Sequence, residues 1–186
     1  MGHVWQAWGP VLVVWGIGVA MLPVIVGLLV WWRLRVGVPR PIALRHSLTE
    51  MGIVAGTLPW VWMILTPTGG TRAVSAIPLH DLTATVGALS FDTVVQIGAN
   101  LAIFFPLGFL LPLRCPRFTG VWRMFALGAA LSATLEIAQF VLDIGRVSSV
   151  DDVLMNAAGA GLGAYLLARV RNSRDHNTGC DCVIGA

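Results

Sequence analysis

Five long apolar runs, each bounded by arginine or by a short polar turn, leave this chain few folds to choose from. They extend from about Trp8 to Trp32, Ser47 to Leu65, Thr93 to Leu113, Val121 to Leu142 and Val153 to Val170. As helices rising about 1.5 Å per residue, each can cross roughly 30 Å of hydrocarbon, the last only just. Of the 186 residues, 56% are apolar and 11% are charged. Soluble domains carry about 25% charged residues, so a compact soluble fold could not hide this much apolar surface. The expected fold class is all-α: a polytopic transmembrane helix bundle of about five spans in a multi-pass protein of the cell membrane.

Charge then sets an orientation. Apart from histidine, every basic residue is arginine. Arg33, Arg35, Arg40 and Arg45 fall between runs one and two. Arg114, Arg117 and Arg123 fall between runs three and four, and Arg169, Arg171 and Arg174 follow run five. If all five runs span, these ten share one side and only Arg72 and Arg146 face the other. Cytoplasmic loops hold the arginine excess, so the N-terminus is expected outside and the C-terminus in the cytoplasm. The arginines lack the interleaved aromatics that base stacking needs, which argues against a nucleic-acid partner.

The resulting division is two N-terminal helices with a basic cytoplasmic loop over 1–65, an extracytoplasmic loop over 66–92, a three-helix region over 93–170, and a disordered cytoplasmic tail over 171–186. Cys115, Cys180 and Cys182 lack the paired spacing of a zinc site, so no metal and no cofactor is expected. No positive charge precedes the first apolar run, unlike a cleavable secretory signal. The tryptophans, Trp60 and Trp122 among them, fall near span ends as interfacial anchors.

Against this background one stretch gathers polarity: SATLEIAQFVLDIGRVSSVDDVLMN, from Ser132 to Asn156. At 100° per residue, Ser132, Glu136, Gln139 and Asp143 share a stripe of roughly 60°, which faces the bundle interior or water rather than lipid. Gln96 and Asn100 share a face of the third span, and Asp152, Asn156, Gly159 and Gly163 share a face of the fifth. Gly159 and Gly163 also make a G-x-x-x-G motif of the kind that brings membrane helices close together. Asn100, Glu136 and Asn156 lie at similar depths, roughly 5–10 Å below the outer surface, with Arg146, Asp151 and Asp152 above them.

Each residue also has a plainer role. Gln139 and Asn100 suit interhelical hydrogen bonding worth about 0.6 kcal/mol each. Ser148 stands three before Asp151 and Ser149 three before Asp152, the capping-box spacing. Acids in a first helical turn also favour the helix dipole. Arg146 either pairs with these acids or holds a phosphate or carboxylate with its guanidinium fork. Glu50, at the basic end, is satisfied by snorkelling or by pairing with Arg45.

The stretch NLAIFFPLGFLLPL from Asn100, followed by SATLEIAQFVLDIGRVSSVDDVLMNAAGAGLG from Ser132, resembles the VanZ-like membrane protein family. The matching positions are Asn100, Pro106, Gly108, Phe109, Ser132, Glu136, Gln139, Arg146, one of Asp151 and Asp152, Asn156 and Gly159. The likeness covers roughly residues 77–168, including the proline segment around Pro78, and leaves the first two spans as generic membrane sequence. It implies a bacterial protein associated with resistance to the glycopeptide teicoplanin, and it supplies no catalytic mechanism.

The leading expectation is action at the outer leaflet, on or near cell-envelope lipids. Partners are then membrane lipids, with a lipid-linked cell-wall precursor or a lipoglycopeptide as the specific ligand. Glu136 is the candidate catalytic group, and Asn100, Ser132, Gln139, Arg146, Asp151, Asp152 and Asn156 are the candidate binding groups. Three alternatives stay open. In an intramembrane lipid-modifying enzyme Glu136 is the general base, although no nucleophile stands beside it. A small transporter would suit an intramembrane acid, yet no internal repeat is visible. In a structural subunit the polar groups are interhelical glue.

Overall fold

A computed structural model describes residues 2–67, 70, 73–75 and 91–181. Arg72, Pro78, and most of the long loop before the third span lie outside the described residues, as does the side chain of Gln96. Five helices are long and apolar enough to cross a membrane. They are α1 (Gly2–Arg35), α2 (Arg40–Leu65), α3 (Phe91–Arg114), α4 (Val121–Val141) and α5 (Val150–Asp181). The protein is an all-α, multi-pass membrane bundle.

Two departures from the sequence reading are local. A pair of three-residue strands, β1 (Ala73–Ser75) and β2 (Val147–Ser149), runs parallel with Val74 opposite Ser148. Segments this short carry no periodicity; only the proximity of two loops at one end of the bundle lets them pair. The expected disordered tail from Arg171 is helical as far as Asp181. That stretch contains no proline, and extending an existing helix avoids the cost of nucleating a new one.

α5 is the centre of the bundle, packing most extensively on α3 and next on α4, while α2 packs on α3 and α1 on α2. The core cluster is Ile103, Phe104, Leu107, Met124, Ala160 and Ala164. Small residues make the α3–α5 contact close. A Cβ on Gly159 would meet the Leu101 carbonyl, and one on Gly108 would meet the backbone of Ala160. A Cβ on Gly163 would lie 2.7 Å from the Phe109 nitrogen. With little hydrophobic drive between helices in lipid, such backbone proximity supplies the van der Waals contact that holds them.

The basic end of the bundle is tied by one acid. Glu50 on α2 accepts a hydrogen bond from Arg33 of α1 and another, 2.7 Å long, from Arg114 of α3. Arg33 also donates to Ser47. The pairing of Glu50 with Arg45 expected from sequence is replaced by this bridge. Five positions along a helix turn by about 140°, so Arg45 faces elsewhere and donates to the Leu113 carbonyl at 2.9 Å. Trp122 is 80% exposed, as an interfacial anchor should be. Trp60 instead packs against the core.

Candidate functional site

The other end of the bundle holds the polar stretch. α4 stops at Val141, and Asp143 follows in a turn with φ 49°, exposed, before Gly145 at φ 72°. Asp143 therefore leaves the stripe that a continued helix would have given it. Asp is among the few non-glycine residues that visit the left-handed region routinely, which lets the chain reverse here. The turn delivers Arg146 and β2 to the end of α4.

Ser132, Glu136 and Gln139 do face inward on α4, with Ser132 1% and Gln139 6% exposed. Asn156, 3% exposed on α5, donates from Nδ2 to Ser132 Oγ at 2.8 Å. Asn100 on α3 donates to Asp152 Oδ1 at 2.5 Å. These two bonds join α4 to α5 and α3 to α5, one helical turn apart along α5. A buried amide that reaches a partner avoids a desolvation penalty of about 1–3 kcal/mol.

The Glu136 carboxylate accepts a hydrogen bond from the backbone N–H of Ser149 at 3.2 Å, and Ser148 Oγ donates to the Glu136 carbonyl at 3.1 Å. β2 is thus fastened to α4 by the acid itself. Arg146 and Asp152 are both close enough to act electrostatically on the Glu136 carboxyl. Ser149 caps α5, its Oγ accepting from the Asp151 N–H at 3.2 Å, the arrangement expected of a helix N-cap. Asp151 itself is 3% exposed.

α2 enters the site by its C-terminus. The last carbonyls of a helix lack intrahelical donors and carry the negative end of its dipole. Gln139 Nε2 donates to the Ile64 carbonyl at 3.0 Å, and Arg146 Nη2 to the Met63 carbonyl at 3.1 Å. Neither carbonyl was legible as a site group, because every residue offers the same one. Only the packing of α2 beside α4 selects these two.

Two atoms are left over. Arg146 Nε, a donor, and Asn156 Oδ1, an acceptor, are buried without a hydrogen-bond partner among the described residues. Native folds leave few such groups, and each invites a water, ion or ligand. Beside Glu136 lies a cavity of about 310 Å³, lined also by Val74, Ile137, Phe140, Ser148 and Ser149. Arg146 and Asn156 do not line it. The acid therefore opens toward a mostly apolar recess, while the guanidinium turns toward the end of α2. No group of His, Cys, Asp and Glu suited to a metal ion occurs among the described residues.

Residues 51–171, more than half of the chain, match the protein-family model described as VanZ/LLP1. The match begins within α2, earlier than the resemblance seen in the sequence motifs, consistent with the two carbonyls that α2 contributes. No curated protein and no solved structure matches the chain.

Proposed function

Because the chain belongs to the VanZ/LLP1 family of membrane proteins, we propose that it works at the extracytoplasmic face, on the anionic head group of a cell-envelope lipid or on a lipoglycopeptide anchored there. In this reading Arg146 holds the anion. Its guanidinium suits phosphate or carboxylate, and its Nε still has a hydrogen to donate. Asn156 Oδ1 accepts from the ligand, while Asn100, Asp152, Ser132 and Gln139 hold the surrounding helices in register. What supports the reading is the gathering of α3, α4 and α5 through the Asn100–Asp152, Ser149–Glu136 and Asn156–Ser132 bonds, with one buried atom each of Arg146 and Asn156 left unpartnered among the described residues.

The orientation is part of the proposal. Arg33, Arg45, Arg114, Arg117 and Arg123 gather at the end opposite Arg146, the side that the positive-inside rule assigns to the cytoplasm. In a background without native cysteines, Asp143→Cys should react with a membrane-impermeant maleimide on intact cells. Arg117→Cys should react only after permeabilisation. The reverse pattern would turn the molecule over and move the site to the cytoplasm.

Teicoplanin susceptibility of a sensitive host tests the function. The wild-type gene should raise resistance, and Arg146→Ala and Asn156→Ala should each lower it at equal expression. Wild-type resistance in both variants would remove these two residues from the site. The cavity beside Glu136 favours a second reading, in which the acid is a general base acting on a lipid. Mass-spectrometric comparison of envelope lipids with and without the protein separates the two. A binding protein leaves the lipid species unchanged, whereas an enzyme creates or depletes one.

A further inference from the structure

A large apolar cavity lies apart from Glu136, which is not among its walls. It has a volume of about 840 Å³ between α1, α2, α3 and α5, and its walls include Trp15, Trp60, Met63, Leu101, Phe105 and Leu162. A second cavity of about 230 Å³ shares Trp15, Ala55 and Pro59 with it and follows the α1–α2 seam toward Leu22 and Ile25. Together they form a cleft descending from the polar end of the bundle. The combined walls are almost wholly hydrocarbon and indole, so water gains nothing by filling them. The larger volume falls in the range of about 300–1,000 Å³ typical of sites that enclose a small organic ligand.

Two residues connect the cleft to the polar site. Met63 lines the cleft, and its carbonyl accepts the hydrogen bond from Arg146. Leu101 lines it one residue after Asn100, the donor to Asp152. A guanidinium with an unpartnered Nε is thus one hydrogen bond away from a residue of the cleft wall. α1 is held at its far end by the Arg33 bonds to Ser47 and Glu50. Beside the cleft, Trp15 reaches the Ala55 carbonyl through a long 3.4 Å bond. Leu12 and Trp15, both in its wall, are about half exposed, so the cleft opens beside α1.

We propose that this cleft holds the hydrocarbon chain of an anionic lipid whose head group is gripped by Arg146. The proposal rests on the head-group reading of Arg146 given above and extends it to the rest of the ligand. Charge selects the head group, and a dry, elongated wall selects the long chain. A water-soluble anion would engage only the upper end of the site, with no use for the cleft.

The test uses the full-length protein in phosphatidylcholine nanodiscs carrying a trace of photoreactive lipid, with a diazirine on the acyl chain and either a phosphatidic acid or a phosphatidylcholine head. Peptide mapping should find crosslinks on residues 55–63 and 101–106. Labelling by the phosphatidic acid should exceed that by phosphatidylcholine about tenfold, because the choline ammonium neutralises and shields the phosphate that phosphatidic acid presents as a net anion to a charge-assisted hydrogen bond. Arg146→Ala should abolish the preference. Ala102→Phe and Ala55→Phe, which fill the cleft from opposite walls, should each remove cleft labelling, while Leu131→Phe on α4 should not. Thermal midpoints of the variants show which of them remain folded. Equal cleft labelling by both lipids would overturn the head-group reading and the proposal with it. Labelling spread evenly over all lipid-facing helices, and insensitive to both filling variants, would overturn the cleft alone and leave the Arg146 resistance phenotype standing. A cleft free of lipid adducts, in protein that runs as a dimer on size exclusion until Ala102→Phe or Ala55→Phe makes it monomeric, would overturn it in favour of a second copy of the chain.

Discussion

Glu136→Gln is expected to leave the protein folded and to abolish its function. The carboxylate accepts the Ser149 N–H, and an amide oxygen can accept the same bond. Loss of stability should therefore stay within about 0.5–1 kcal/mol. Glu136→Ala is the structural control. It strips the acceptor from the Ser149 N–H, at a residue only 9% exposed, and detaches β2 from α4. A lost partner of this kind costs about 1–3 kcal/mol, a drop in thermal midpoint of roughly 2–12 °C for a chain of this size. If Glu136 serves only to anchor β2, Gln restores what Ala loses and teicoplanin resistance survives in the Gln variant. If the ionisable carboxyl is itself required, both variants fall to the level of the host without the gene, although only one is destabilised. A stable, fully resistant Gln variant would reduce Glu136 to a hydrogen-bond acceptor.

The second large effect belongs to Gly159. Its missing Cβ is the space occupied by the Leu101 carbonyl, and Gly108 makes the reciprocal room for the backbone of Ala160. A methyl group at 159 has no flexible side chain to push aside, so α3 and α5 must separate. Gly159→Ala should cost about 3 kcal/mol, the upper end of overpacking penalties, or roughly 6–12 °C in midpoint. Gly159→Leu should prevent accumulation of monodisperse protein, read by size exclusion in mild detergent. Gly161 is the matched control on the same helix. A Cβ there meets Phe125 at 3.6 Å, an ordinary contact, so Gly161→Ala should be close to neutral. Equal behaviour of the two alanine variants would contradict the close approach of α3 and α5.

Much of the site could be found by spacing alone, because helical periodicity converts sequence intervals into faces. Ser132, Glu136 and Gln139 on α4, and Asp152 with Asn156 on α5, needed nothing more than 3.6 residues per turn. Asp143 shows where this fails: one left-handed residue ends the helix and removes it from the stripe. The capping spacing of SSVDD was visible, but each group's choice of partner was not. Ser149 caps through its hydroxyl while its N–H goes to Glu136, and Asp152 meets Asn100 across helices. Glu50 shows the same limit at the other end, with several arginines in reach by sequence and two chosen by packing.

The sequence by itself determined the solvent, the number of spans and the helix faces that carry polarity, because transfer of side chains and backbone into lipid depends on composition and local period. Only the tertiary structure decided which polar groups meet. It brought the Met63 and Ile64 carbonyls to Arg146 and Gln139, paired two distant loops as strands, and opened an apolar cleft beside Met63. Those outcomes depend on how closely helices approach and where their ends fall. That distance is set by glycines and carbonyls on different segments, which no single stretch of sequence contains.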